Sequence, residues 1–357
     1  MPPPAAPRKP RLDPAIFNLP VARMREGYYS DKYFVRAREV LIADRHRPRV
    51  TMQVFGKTHA YLGGSDEAIA ILKLCAQSWD ELEVFALYDG DEVAPWETIL
   101  LIEGPYDAFA NLETLYLGVL ARRTKVGTNT RRVVEAARPK QVMFFPARHD
   151  HWLVQTGDGY AAHIAGAIGV STDAQASWWG SEGIGTVPHA LIAAYGGDTV
   201  RASVKFAEHM NDETRLITLV DFDNDSVATS LKVARALGER LYGVRLDTSE
   251  TLVDKAIVPE MGTFRPTGVN PQLVWKVRQA LDREGFARVK IVVSGGFTVE
   301  KIRAFEEEGV PVDMYGVGSS LFQGRFDFTA DIVQVEGKSC AKVGRSYRPN
   351  PRLERVT

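Results

Sequence analysis

Short apolar runs in the second half of the chain end, one after another, in residues that can do chemistry. Arg148 and His149 follow QVMFFP, Asp221, Asp223 and Asp225 follow LITLV, and Arg245 and Asp247 close LYGVRLD. Ser294, Gly295 and Gly296 follow VKIVV, and Gly316, Gly318 and Ser319 close VDMYGVGSS. Glycines let backbone N–H groups approach an anion closely, and the start of a following helix favours its charge, so SGG and GVGSS both suit phosphate. The competing role for these glycines is a pair of tight turns without a ligand. Arg245 beside Asp247 suits the same chemistry: a guanidinium holds phosphate while a carboxylate holds hydroxyls or Mg²⁺. A structural salt bridge is the alternative there. Asp221 stands directly at a strand end, where it can meet a metal or ribose hydroxyls, whereas Asp225 suits capping the next helix. As a set these residues read as a phosphate and sugar site.

The densest stretch is GIGTVPHALIAAYGGDT, from Gly183 to Thr199, where a glycine turn, Thr186 and His189 precede an apolar helix. A lone histidine is more often structural than catalytic. At a barrel mouth beside phosphate-binding groups, an imidazole can also act as a nucleophile toward phosphate or as a base.

The elements that must position these groups follow from hydrophobic pattern. From about Lys140 the chain alternates short apolar runs with helical segments of about 10 to 15 residues, the signature of parallel βα units. The strand candidates are QVMFFP, AIGVS, LITLVDF, LYGVRLD, VKIVVSGG and VDMYGVGS, with a further one near MGTF. Helices fall at SVATSLKVARALGER, capped by Ser226 or Asp225, and at NPQLVWKVRQALDREG. Six or seven such units predict a closed barrel, whose carboxyl-end loops gather the catalytic groups at one face.

Ahead of it, Val50 to Glu103 reads as a small α+β domain: VTMQVFG, EVFALYDG and TILLIEG as strands, with SDEAIAILKLCAQ as a helix. A helix is predicted from Tyr106 to about Ala121, with Leu112, Leu115 and Val119 on one stripe. After Phe326, DIVQVEGKSCAKVGR returns to strand texture and is expected to pair back onto the N-terminal domain. The expected organisation is a sandwich domain over 1–130 completed by 327–357, and a barrel over 131–326.

Composition narrows the class. The 357 residues are 45% apolar and 25% charged, an ordinary globular balance. The 44 basic and 45 acidic side chains leave a net charge of −1 with no long single-sign block, so neither nucleic acid nor an anionic membrane is indicated as a partner. With only Cys75 and Cys340, a disulfide framework and a cysteine-rich zinc site are excluded, and a reducing, cytoplasmic compartment is expected. The opening MPPPAAPRKPRLD reads as a partly flexible tail rather than a targeting segment, and AAHIAGAIGV is too short to span a membrane.

At these motifs the chain resembles the nicotinate phosphoribosyltransferase family. YYSDKYF, ARRTKVGTNTRR, GTVPHALIAAYGGDT, LVDFDND, YGVRLDTSE, SGGF and GVGSSL occur in the family's order, and the likeness covers nearly all of the chain after the tail. The barrel half also looks like quinolinate phosphoribosyltransferases. The resemblance implies an α/β fold: an N-terminal open-faced α/β sandwich plus an incomplete, seven-stranded α/β barrel. It implies a homodimer or higher homo-oligomer with sites near the subunit interface. The implied reaction joins nicotinate to phosphoribosyl diphosphate in NAD salvage, with ATP as co-substrate through a transient phosphohistidine at His189.

By motif, Tyr33 and Thr186 match positions that contact the pyridine, and Arg148 is the expected partner of its carboxylate. Arg245, Ser294, Gly295, Gly296, Gly316, Gly318 and Ser319 would hold phosphoribosyl diphosphate, and Asp221 and Asp247 the reacting ribose and Mg²⁺. Some family members carry a cysteine-rich zinc element near the C-terminus. Only Cys340 falls there, so no structural zinc is expected. The alternatives are a quinolinate or nicotinamide phosphoribosyltransferase, and a non-catalytic nucleotide-binding barrel.

Overall fold

The computed structural model describes residues 10–211, 214–262 and 264–356, which divide into two compact units, 1–128 with 324–357, and 129–323. The first nine residues of the expected tail lie outside the described residues. Its remainder is anchored: Arg11 donates to Asp66 at 2.8 Å and to Ala86 O at 3.0 Å, and lies over the Tyr88 ring at 3.8 Å.

The first unit is built on a six-stranded antiparallel sheet in the order Lys338–Ser339, Phe328–Val335, Arg49–Gly56, Thr98–Pro105, Glu83–Ala86, Glu354–Arg355. Side chains alternate across a strand. Val50, Met52 and Val54 therefore enter a core with Ile69, Leu72, Val84, Leu100, Ile102 and Leu112, while Gln53 faces the other way. On that second face Gln53 holds the C-terminal segment, donating to Ser346 O at 2.9 Å and accepting from Arg348 N at 3.0 Å. The helix Ser65–Cys75 has its first N–H bound by Asp89, whose Oδ1 accepts from Ser65 N at 2.6 Å, and most of its residues are buried.

The predicted helix from Tyr106 instead starts with two 3₁₀ turns, Tyr106–Ala108 and Ala110–Leu112. The α-helix then runs from Glu113 to Ala137, well past Ala121. Its polar second half is buried through hydrogen bonds: Thr124 Oγ1 donates to Gly63 O at 3.1 Å and Thr128 Oγ1 accepts from Tyr61 N at 2.9 Å. Arg123 Nε donates to Glu67 Oε2 at 2.9 Å in a pair only 11% exposed on either side. Removing one partner of such a buried pair is strongly destabilising. Glu67→Ala is therefore expected to lower the unfolding free energy by roughly 3 kcal/mol, read as an earlier urea midpoint; an unmoved midpoint would count against the pair's structural role.

The second unit is the curled parallel sheet. Its strands run in the order Gly169–Val170, Gln141–Phe144, Met314–Val317, Lys290–Val293, Leu241–Leu246, Leu216–Leu219, all parallel. Val187 adds a seventh position by a single parallel bridge to Thr218. The ring stays open between Val187 and Val170, where Ile184 N donates to Val170 O at 2.7 Å. MGTF supplies no strand: Met261 and Gly262 form a turn, Phe264 a bend, and residue 263 lies outside the described residues. Glycine and a nearby proline make that run a turn.

Strands buried on both faces read as continuous apolar runs, and here Leu216–Leu219 and Met314–Val317 are buried throughout. Inward-facing Met143, Ile217, Val292 and Met314 fill the barrel with Phe145, Ile184 and Tyr242. Several of the helices that return between strands are started by a polar side chain: Asp198 before Thr199–His209, Asp225 before Ser226–Leu237, Asn270 before Pro271–Arg283 and Thr298 before Val299–Glu307. No described helix is long and apolar enough to cross a membrane. Cys75 is buried, Cys340 is exposed, and both are free thiols.

Candidate active site

Sheet pairing continues one residue beyond the strand Lys290–Val293, because Ser294 N donates to Leu246 O at 2.9 Å. Ser294 is thereby fixed beside the end of Leu241–Leu246. Its hydroxyl donates to Asp247 Oδ1 at 2.7 Å and accepts from Arg245 Nε at 2.8 Å. Arg245 Nη1 reaches Thr186 Oγ1 at 3.3 Å, and Nη2 stands 3.7 Å from Asp247 Oδ1. Phe145 lies under the guanidinium, 4.9 Å from its ring centre. Three strand ends and the loop before His189 therefore hold one arginine in a fixed orientation.

The charge around Arg245 is mixed. Burial draws its guanidinium below the ordinary arginine value, the charges of Asp247 and Asp221 oppose, and Arg148 pulls in the same direction as burial. A second guanidinium close enough to act on the first marks a place where an anion is favoured between them. Arg148 sits in the turn Ala147–His149 beyond Gln141–Phe144 and is exposed.

His189 is the first residue of the short helix His189–Ala194, following Pro188. Its Nε2 lies 3.1 Å from Asp221 Oδ1; the aspartate side chain is 7% exposed and the imidazole 40%. A carboxylate can only accept, so Nε2 carries the proton, and in the neutral imidazole Nδ1 keeps its lone pair. The hydrogen bond to Asp221 lifts the imidazole above its ordinary 6.5, burial opposes, and the charges of Asp221 and Asp247 add to the rise. The acidic run thus divides its tasks. Asp221 partners His189, Asp225 caps Ser226–Leu237, and Asp223 is exposed.

Gly295 and Gly296 both take positive φ, 83° and 70°, and lead through Thr298 into the helix Val299–Glu307. Only glycine adopts two such conformations in succession without strain, and the turn stands ahead of a helix start, a setting that suits an anion. Ser320 Oγ donates to Phe297 O at 2.9 Å and so ties this turn to the Ser319–Phe322 turn. Gly316 is demanded by packing: a Cβ there would stand 2.7 Å from the Phe145 ring. At Gly318 a Cβ would lie 3.3 Å from His149 Nε2, which puts His149 at the same mouth. Ser319 is exposed.

Of the residues singled out in the sequence, Thr186, Arg245, Asp247 and Ser294 form one network, with His189 and Asp221 paired beside it. Tyr33 belongs to the first unit, where it is 62% exposed on the helix Lys32–Ala43 and packs on Phe34 at 4.2 Å. Phe145 and Ser320 escaped the sequence reading. The aromatic after QVMF was a usable signal for the first; nothing distinguished Ser320 from Ser319. Among the described residues no group of three or more His, Cys, Asp or Glu could hold a metal ion by itself.

Residues 31–124 match the family model described as quinolinate phosphoribosyl transferase, N-terminal domain, and residues 126–326 match its C-terminal domain. The chain is 28% identical over 382 residues to nicotinate phosphoribosyltransferase pncB1 of Mycobacterium tuberculosis, covering 93% of this chain and 80% of that one. Among solved structures, nicotinate-nucleotide pyrophosphorylase from Pyrococcus furiosus aligns with a TM-score of 0.79 at 34% identity, over 92% of this chain and 80% of that chain. Human nicotinic acid phosphoribosyltransferase aligns with a TM-score of 0.64 at 17% identity, over 87% and 75%, a likeness of fold.

Proposed function

The chain belongs to the quinolinate phosphoribosyltransferase family, and from that premise we propose that it is a nicotinate phosphoribosyltransferase coupled to ATP through a phosphohistidine at His189. Phosphoribosyl transfer in NAD biosynthesis comes with the family; the choice of pyridine and the ATP coupling are the proposal. The single observation that carries it is the His189–Asp221 pair standing beside the Arg245 network. Transfer itself needs no imidazole, because the pyridine nitrogen brings its own lone pair. A histidine with one nitrogen pinned and the other free, next to phosphate-binding groups, suits accepting a phosphoryl group.

In this reading the anomeric carbon of phosphoribosyl diphosphate is attacked by the pyridine nitrogen. The C–N bond forms as the bond to the diphosphate oxygen breaks. Positive charge spreads over the ribose ring, where Asp247 and Asp221 can stabilise it, and negative charge grows on the departing diphosphate, where Arg245 can, while the glycine turns suit the sugar phosphate. Mg²⁺ bound to the diphosphate, with Asp221 and Asp247 as its protein ligands, would neutralise the leaving group. In the coupling step Nδ1 of His189 attacks the γ-phosphorus of ATP, the bond to the β-phosphate oxygen breaks, and ADP leaves. The Nε2 proton stays with the Asp221 hydrogen bond.

Arg148 is assigned the nicotinate carboxylate, and Thr186 and Tyr33 the pyridine ring, Tyr33 by motif alone. One guanidinium satisfies one carboxylate; a dicarboxylate would call for more cations at the mouth, where Asp221 and Asp247 already act on Arg245. The quinolinate alternative is favoured by the family description. Arg148→Ala tests the assignment. It is expected to raise KM for nicotinate about tenfold or more, the order of one charge-assisted pair, with KM for phosphoribosyl diphosphate little changed. Unaltered nicotinate affinity would sink the assignment.

A further inference from the structure

The turn assigned to the substrate's phosphate is covered by a carboxylate. The space that a Cβ on Gly296 would fill is taken by Glu250, whose Cδ lies 2.6 Å from that position, with Oε1 nearer still. Glu250 belongs to the loop after Asp247, and its backbone is seated on Gly268, where an added Cβ would be 3.2 Å from the Glu250 Cα. Beside the turn stands Lys301, two residues into the helix Val299–Glu307, its ammonium donating to Gly295 O at 3.3 Å and lying 4.4 Å from the centre of the Phe297 ring. Burial lowers that ammonium below the ordinary lysine value, and the charge of Glu250 is the main opposing influence. No hydrogen bond or ion pair within 4 Å holds the Glu250 carboxylate among the described residues, so it can leave.

We infer that Glu250 sets how tightly the phosphoribosyltransferase site holds phosphate: its carboxylate lies against the Gly295–Gly296 turn, and any phosphate group that binds there must displace it. The inference rests on the reading that this turn takes the sugar phosphate. Two anions cannot share one turn, whereas Lys301 can serve either. The displacement costs the same for every phosphate. Phosphoribosyl diphosphate recovers it through Arg245, the second glycine turn and its diphosphate; inorganic phosphate has no such contacts, and the empty site stays clear of it.

The test is Glu250→Gln, which keeps shape and removes charge. Expected is a fall of about three- to tenfold in both KM for phosphoribosyl diphosphate and the inhibition constant of inorganic phosphate, the size of one partly screened like-charge contact, with kcat unchanged. Lys301→Met, measured alongside, is expected to weaken phosphate inhibition. If Glu250→Gln leaves both constants where they were, or raises KM, while Lys301→Met weakens phosphate binding, the role of Glu250 is overturned and the phosphate turn stands. If neither variant moves phosphate inhibition, the phosphate does not sit on this turn. Thermal melts of both variants exclude unfolding as the cause of any change.

Discussion

Arg245→Met is expected to lower kcat/KM for phosphoribosyl diphosphate by about a thousandfold, roughly 4 kcal/mol of transition-state stabilisation. The side chain is held from three directions, by Ser294, Thr186 and the Phe145 ring, so its charge is oriented before substrate arrives. Preorganised charge of this kind acts where negative charge develops and needs no reorganisation during the reaction. Methionine fills similar volume above Phe145 but removes the fork, and it leaves Asp247 and Asp221 without the cation between them. Arg245→Lys is expected to recover only part of the loss, since an ammonium cannot bond Ser294 and Thr186 at once from one plane. Steady-state kinetics with a melting curve as the folding control decides it. A loss below about fivefold in a folded Arg245→Met protein would remove Arg245 from the reaction.

His189→Ala is expected to abolish every effect of ATP while leaving slower, ATP-independent transfer in place. Labelled γ-phosphate should be trapped as an acid-labile, base-stable adduct in the parent enzyme and be missing from the variant. The pH dependence gives a second reading. Nδ1 attacks only when the imidazole is neutral, and the Asp221 hydrogen bond raises its protonation above the ordinary 6.5. ATP-dependent labelling should therefore rise with pH through that raised value. Asp221→Asn removes the cause, so the profile should move toward lower pH as the maximal rate falls with loss of the fixed tautomer. Stability follows the same linkage. The charged pair contributes fully below 6.5 and its contribution is lost as pH rises through the folded-state value, a dependence that Asp221→Asn should flatten. Labelling that persists in His189→Ala would place the phosphoryl group elsewhere.

Much of the barrel could be read from pattern because its strands are buried on both faces, which leaves runs such as LITL and KIVV little choice of residue. Val187 was invisible for the opposite reason: it contributes one bridge, and one residue has no periodicity. MGTF is an apolar run of the right length but has Gly262 within it and Pro266 soon after, and it turns. The helix beyond Ala121 was missed because its inner stripe there is Arg123, Thr124 and Thr128, polar groups made compatible with burial by hydrogen bonds to Glu67, Gly63 and Tyr61. At the site, strand-end position singled out Arg245, Asp247 and Ser294. It could not tell that Ser294 bridges the other two or that Phe145 lies beneath them, since both depend on pairing between strands distant in sequence. Glu250 lay within the quoted RLDTSE motif, yet its proximity to Gly296 exists only in three dimensions.

The reaction is tested by mononucleotide formation from phosphoribosyl diphosphate and Mg²⁺, with nicotinate, quinolinate or nicotinamide supplied separately, each with and without ATP. Product is expected with nicotinate alone, increased by ATP. Product from quinolinate with release of carbon dioxide, product from nicotinamide, or no product from any of the three would contradict it.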